Sequence, residues 1–261
     1  MTLWLNGALV DAAAARVAPG DRGFMLGDGL FETIAVREGV PLRLSAHLAR
    51  LARGAEVIGL PLPTFDLSAI ATALLAANGL TDAVLRLTLT RGEGPRGVLP
   101  PEAPQPTLLV TTAPLATPAP PARLMLAQGT RRNEFSPLSG IKSLNYLDNI
   151  LARQEAQRAG YDDALLLNTL GRLAESTIAN LFVKRDGQLL TPPLSEGALP
   201  GVMRAEVLAS GAVERPLTPD DVMTAEEVFL TSSLGLRSVR SFGDRVFSSF
   251  AVAERLRTEI P

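Results

Sequence analysis

The sequence predicts an α+β protein in two domains, a smaller N-terminal one and a larger C-terminal one, and three observations carry that expectation. Short alternating or β-branched apolar runs recur along the chain. Segments with helical apolar spacing are interleaved with them. One stretch, Ala113-Pro114-Leu115-Ala116-Thr117-Pro118-Ala119-Pro120-Pro121, holds four prolines in nine residues, a composition that stays extended and cannot join a sheet interior. The domains are therefore expected at 1–112 and 122–261, with 113–121 as the linker between them.

In the first part, Trp4 to Val10 and Leu30 to Val36 are short apolar runs flanked by Gly and Asp, as strands are. Ala83 to Thr90 alternates through Val84, Leu85, Leu87 and Leu89 and predicts another strand. Leu44, Leu48, Leu51, Ala55 and Ile58 repeat at helical spacing behind Ser45 as N-cap candidate. A second helix is expected from Asp66 to Ala77, ended by Asn78-Gly79. Beyond the linker come a strand near Arg123 to Ala127, a long helix from about Leu144 to Ala159, and a strand at Ala164 to Asn168. A hairpin turns at Arg185-Asp186-Gly187. Pro200 suits the first turn of a helix running to about Ala209, and an amphipathic helix through Phe250, Val252 and Leu256 closes the chain.

With 261 residues, 46% of them hydrophobic, the chain can bury a substantial core. Its 25 basic residues against 27 acidic ones give no charge excess that would draw nucleic acid or an anionic membrane, so a small-molecule ligand is expected. The absence of cysteine excludes disulfides, thiolate nucleophiles and cysteine metal sites. A single histidine, His47, leaves little scope for zinc or Ser-His-Asp chemistry, and its place among the leucines of a helix predicts a structural role. No apolar stretch reaches the roughly 20 residues of a membrane span. The N-terminal residues show no signal-peptide pattern, so a cytoplasmic protein is expected.

Only two of the basic residues are lysines, Lys142 and Lys184. Arginine can replace lysine in an ion pair, but its guanidinium stays protonated and cannot form an imine. A lysine kept against that bias points to amine chemistry. Lys184 lies at the expected hairpin turn and reads as a solvated charge. Lys142 lies between a loop and a helix, followed by the polar Ser143, Asn145 and Tyr146, where the backbone can present a side chain to a cleft.

Five segments extend this. They are Gly27-Asp28-Gly29-Leu30-Phe31-Glu32-Thr33; Leu42-Arg43-Leu44-Ser45-Ala46-His47-Leu48-Ala49-Arg50-Leu51; Ile141-Lys142-Ser143; Leu173-Ala174-Glu175-Ser176-Thr177-Ile178-Ala179-Asn180-Leu181-Phe182; and Gly197-Ala198-Leu199-Pro200-Gly201-Val202-Met203-Arg204. In this order, over nearly the whole chain, they resemble the fold-type IV pyridoxal-phosphate enzymes. That family, the class IV aminotransferases, contains branched-chain and D-amino-acid aminotransferases and 4-amino-4-deoxychorismate lyase.

The resemblance implies a pyridoxal 5'-phosphate cofactor held through Lys142 as Schiff-base lysine, which then moves protons at the substrate's amine-bearing carbon. It implies that Glu175 contacts the pyridine nitrogen and keeps it protonated, so that the ring accepts electrons. It places the cofactor phosphate at Arg43, at Val202 and Met203 where a helix begins, and at Ser233. Tyr146 becomes a pocket candidate, and Phe31 and Thr33 fall at the substrate. A homodimer is also implied.

Three features bear on the reaction. Thr33 resembles the lyases, whose threonine assists the lysine's proton transfer. Leu44-Ser45-Ala46-His47 and Arg132-Asn133 also look lyase-like, whereas Lys142-Ser143-Leu144-Asn145 with Ala152-Arg153-Gln154-Glu155-Ala156 resembles the D-amino-acid enzymes. Arg91-Gly92-Glu93-Gly94-Pro95-Arg96-Gly97-Val98 resembles a substrate loop in which Arg96 pairs with a carboxylate, but Val98 departs from the lyases' aromatic residue and the D-amino-acid enzymes' histidine. The expectation is a lyase acting on aminodeoxychorismate. The alternatives are an aminotransferase for D-amino acids, branched-chain amino acids or amines, and a cofactor-free binding protein on the same fold.

Overall fold

The computed structural model describes residues 1–260, and the chain forms two compact units. The first holds Met1–Ala116 together with Ile141–Asn145; the second holds Thr117–Gly140 and residues 146–260.

In the first unit the elements are β1 (Thr2–Leu5), β2 (Ala8–Asp11), α1 (Arg22–Leu26), β3 (Gly29–Arg37), β4 (Val40–Pro41), α2 (Leu44–Val57), α3 (Leu67–Asn78), β5 (Ala83–Thr90) and β6 (Thr107–Pro114). The strands make one antiparallel sheet in the order β2-β1-β6-β5-β3-β4. Alternation sorts its two faces. Leu30, Ile34 and Val36 of β3 and Leu85, Leu87 and Leu89 of β5 pack under Leu51 and Ala55 of α2 and Ile70 and Leu74 of α3. Phe31 and Thr33 therefore fall on the opposite face, where Thr33 lies directly across from Arg86 of β5.

The second unit runs β7 (Ala122–Leu126), α4 (Leu147–Arg158), β8 (Asp163–Leu167), β9 (Leu173–Ser176), β10 (Asn180–Arg185), β11 (Gln188–Thr191), α5 (Val202–Ala209), β12 (Val213–Glu214), α6 (Pro219–Met223), β13 (Glu227–Ser232), β14 (Gly235–Phe242), β15 (Arg245–Val246) and α7 (Ala251–Glu259). Its sheet has the order β12-β11-β10-β13-β14-β7-β8-β9, with β15 on β14. Leu181, Val183, Val228 and Leu230 fill one face. The stacked rings of Phe182 and Phe229, 5.2 Å apart, lie on the other with Met203 of α5 and Leu256 of α7.

The α+β expectation holds, and several local expectations are corrected. The run from Trp4 to Val10 is a hairpin, because Asn6 and Gly7 both take positive φ (46° and 101°) and turn the chain between β1 and β2. Ser45 lies inside α2, and the N-cap position belongs to Arg43, left-handed at φ 52°. The long helix begins at Leu147, three residues later than expected, and Pro200 lies before α5, whose N-cap is Gly201. Ala113 and Pro114 close β6. Residues 141–145, expected in the C-terminal domain, pack in the first unit. Among the described residues no helix is long and apolar enough to cross a membrane.

Candidate active site

Lys142 reaches the first unit through backbone pairing. Phe31 N–H donates to the Lys142 carbonyl at 2.9 Å, Leu144 N–H to the Gly29 carbonyl at 3.0 Å, and Ser143 bridges Leu30. The lysine is thus fixed beside the start of β3. Its Nζ stands over the Phe31 ring, 4.3 Å from the centroid, and the Arg86 guanidinium stands over the same ring at 4.0 Å. The two cationic groups are consequently no more than about 8 Å apart, on the sheet face that also carries Thr33. An amine, a guanidinium and a hydroxyl-bearing side chain share one face. Arg86 was not singled out by sequence reading; its phase with Phe31 and Thr33 across β3 and β5 is the signal that could have found it.

On the helix-facing side of β3, Glu32 is 1% exposed and accepts from His47 Nδ1 at 2.7 Å and from Arg50 Nε and Nη2 at 2.8 and 2.6 Å. Burial opposes ionisation of this carboxyl, but the hydrogen bonds and charges of Arg50 and His47 outweigh it and hold Glu32 below the ordinary carboxylate range. His47, expected in a structural role, is itself 1% exposed. Arg43 is half-buried at the start of α2, while Arg50, in the same quoted motif, is fully buried and oriented by Glu32.

Asp28 joins two arginines. Its Oδ2 accepts from Arg22 Nε and Arg91 Nε, each at 2.8 Å, while Arg22 Nη1 and Nη2 donate to the carbonyls of Gly97 and Val98 at 3.0 and 2.8 Å. Burial again opposes ionisation, and the hydrogen bonds from Arg91 and Arg22 outweigh it, holding Asp28 below its usual range. The loop that carries the exposed Arg96 is thereby tied to the turn before β3.

In the second unit Glu175 lies buried on β9. Its Oε2 accepts from the Leu199 N–H at 3.0 Å and from Asn180 Nδ2 at 3.3 Å, and its Oε1 lies 3.3 Å from Arg132 Nη2. Asn180 also donates to the Leu199 carbonyl at 2.8 Å. The carboxylate is therefore fixed to the segment that leads into α5. Tyr146 is half-buried at the N-cap of α4, and Ser233 is half-buried in the turn after β13.

The α5 start, where Val202 and Met203 are buried, suits an anion on three observations. Gly201 caps it with no side-chain hydrogen bond. A Cβ on Gly201 would fall 2.0 Å from Asn180 Oδ1, so the backbone approaches that amide as only glycine can. Thr231, 1% exposed, lies directly opposite Asn180 in the β10–β13 register, on the same face, and its hydroxyl is buried without a hydrogen-bond partner. An orphaned hydroxyl beside an uncapped helix N-terminus fits a phosphate. Asn180, Arg132 and Thr231 carry no local sequence signal of these roles, since each depends on register between distant strands or loops.

Comparison with known proteins gives the family and the fold. Residues 29–242 match the family described as amino-transferase class IV. A Methanocaldococcus jannaschii protein that bears a provisional name as a branched-chain-amino-acid aminotransferase is 36% identical over 89% of this chain and 84% of its own. A Bacillus licheniformis D-alanine aminotransferase is 30% identical over 89% of this chain and 85% of its own. The crystal structure of 4-amino-4-deoxychorismate lyase from Pseudomonas aeruginosa superposes with a TM-score of 0.87 at 35% identity, covering 99% of this chain and 97% of that one.

Proposed function

The chain belongs to the class IV amino-transferase family, and from that premise we propose that it is a pyridoxal-phosphate-dependent 4-amino-4-deoxychorismate lyase, yielding pyruvate and 4-aminobenzoate. The observation that carries this reading is the Phe31 face, where Lys142 and Arg86 flank one ring and Thr33 stands opposite Arg86.

When bound, pyridoxal phosphate supplies an aldehyde for the substrate amine and a ring that withdraws electrons from the carbon bearing it. Lys142 carries the amine that holds the cofactor and then removes the proton at that carbon, with the Thr33 hydroxyl assisting the transfer. Arg86 and Arg96 offer guanidinium forks to a substrate with two carboxylates. Glu175 pairs with the pyridine nitrogen. The phosphate is taken by the start of α5 at Val202 and Met203, by the hydroxyls of Ser233 and Thr231, and by an arginine of α2. Arg43 was the first candidate for that charge; the burial and fixed orientation of Arg50 favour it instead, because a pre-oriented fork loses less freedom on binding. Tyr146 lines the pocket.

The aminotransferase reading retains all of these contacts. It is favoured by Val98, which matches neither the lyases' aromatic residue nor the D-amino-acid enzymes' histidine, and by the 36% identity to the archaeal protein. The two readings separate when purified enzyme is offered aminodeoxychorismate beside a panel of D-amino acids, L-amino acids and amines. Pyruvate with 4-aminobenzoate supports the lyase, and conversion of the cofactor to its amino form by a simple amino acid sinks it. Borohydride trapping of pyridoxal phosphate on Lys142, lost in Lys142→Arg, tests the cofactor assignment itself.

A homodimer and a cytoplasmic location complete the reading. Leu147, Ile150 and Leu151 form an exposed apolar stripe along α4, 67%, 48% and 44% accessible, of the kind that a second copy covers.

A further inference from the structure

Arg132 has no assigned part in the chemistry above, yet it is held at more points than support of a loop requires. Its Nε donates to the Gly197 carbonyl and its Nη2 to the Ser139 carbonyl, both at 3.0 Å, and its own N–H donates to the Leu167 carbonyl at 2.8 Å. Nη2 also stands 3.3 Å from Glu175 Oε1. One guanidinium therefore joins three segments distant in sequence: the turn that ends at Gly140, the β9 carboxylate and the loop leading to α5. The approach is close on the loop side, where Gly197 has φ 89° and a Cβ there would meet Glu134 Cα at 3.3 Å and Arg132 Cβ at 3.4 Å.

We infer that Arg132 is the positioning residue for Glu175, fixing the carboxylate's orientation and sharing its charge so that the proton between Glu175 and the cofactor nitrogen rests on the nitrogen. This rests on the reading of Glu175 as the partner of that nitrogen. The physical reason is twofold. The Leu199 N–H and the Asn180 amide hold one carboxylate oxygen, and Arg132 stands at the other, so the guanidinium adds a restraint on the carboxylate's rotation that those two donors do not supply. A guanidinium near Oε1 also makes the carboxylate a weaker base, which leaves the proton on its partner. Lysine cannot replace it, since one ammonium cannot span two carbonyls and a carboxylate held in fixed directions.

The test uses enzyme loaded with pyridoxal phosphate and the same protein without it, as wild type, Arg132→Met, Arg132→Lys, Glu175→Gln and the Arg132→Met/Glu175→Gln double variant. Three quantities are measured: the dissociation constant for pyridoxal phosphate, the pH titration of the visible absorption band, and the melting temperature of the cofactor-free protein. Arg132→Met and Arg132→Lys are expected to weaken cofactor binding by about ten-fold or more and to displace the band's titration midpoint. Adding Arg132→Met to Glu175→Gln is expected to change either quantity by less than about two-fold, because the group through which Arg132 acts is already altered. If Arg132→Met does not fold, Arg132→Lys carries the comparison.

Wild-type affinity and titration in both Arg132 variants, with Glu175→Gln perturbed, overturn the role of Arg132 alone. An undiminished Arg132→Met effect in the Glu175→Gln background overturns it as well, placing the effect elsewhere. Wild-type behaviour of Glu175→Gln overturns the reading of Glu175 and the inference with it.

Discussion

Replacing Glu32 with glutamine tests whether the first unit is held by a buried charge cluster. The substitution is nearly isosteric, so packing is preserved and only the charge and one acceptor oxygen change. In the wild type the carboxylate takes three hydrogen bonds of 2.6 to 2.8 Å from Arg50 and His47, bridging β3 to α2 in a place from which water is excluded. An amide cannot accept at both ends, and one of its N–H groups would face a cation's donor. Breaking a buried pair from one side costs about 3 kcal/mol or more. For a chain of this size that corresponds to a melting temperature lower by about 6 to 12 °C.

The assay is urea unfolding of the cofactor-free protein at neutral pH followed by far-ultraviolet circular dichroism, with equal m-values as the check on comparability. The pH dependence supplies a second arm. Glu32 is held below its ordinary value of 4.5, so its contribution is complete above that pH and is lost as the pH falls through the lower folded-state value. The gap between wild type and Glu32→Gln should therefore narrow on acidification. A difference below about 0.5 kcal/mol at neutral pH, within the range of an ordinary surface substitution, would refute the reasoning.

Three further outcomes follow from the site. Arg22→Met removes the donors that hold the Gly97 and Val98 carbonyls and should raise amide hydrogen exchange at residues 97–99 and raise KM with kcat little changed; unaltered exchange contradicts the tie. Arg86→Ala should raise KM for a carboxylate-bearing substrate by about ten-fold or more while leaving the affinity for pyridoxal phosphate at high pH, where the lysine is unprotonated with or without Arg86, within about two-fold, and an unchanged KM removes Arg86 from substrate binding. Gly201→Ala drives a Cβ against the Asn180 amide, so it should destabilise by about 1 to 3 kcal/mol and weaken cofactor binding, as thermal melts and cofactor titration would show.

Much of the fold was legible because side-chain pattern set it. The alternation of β5, the Asp66 cap and Gly79 stop of α3, and the turn at Asp186-Gly187 are local signals, and each element lies where its signal stands. Glu32 was legible in principle: it falls in phase with Leu30, Ile34 and Val36, and an acid in an apolar phase demands a cation from the helix above. The placement of Lys142 was not. Residues 142–144 join the first unit through backbone N–H and carbonyl groups, which leave no mark on residue type. The contacts around Glu175 were hidden likewise, because Arg132, Asn180 and Leu199 meet it only after the strands and loops that carry them are in place.

The scarcity of lysine takes on a physical meaning from the same contacts. Arg22, Arg50, Arg91 and Arg204 are each 5% exposed or less, and each spends two or more guanidinium N–H groups on acceptors in fixed directions. An ammonium is too compact and too strongly hydrated for such places, so this fold calls for arginine in its interior. Lys184 satisfies the opposite requirement, donating to the Gly187 carbonyl at the exposed hairpin turn. Lys142 has a third setting: its amine lies against an aromatic ring with a second cation over the same ring. A neighbouring positive charge disfavours a protonated amine, and an amine must lose its proton before it can attack an aldehyde. On the proposed function, Arg86 would then act on the lysine as well as on the substrate. Removing its charge should slow the reaction of Lys142 with pyridoxal phosphate at neutral pH while sparing it at high pH, a difference that stopped-flow absorbance would resolve and whose absence would separate the two residues.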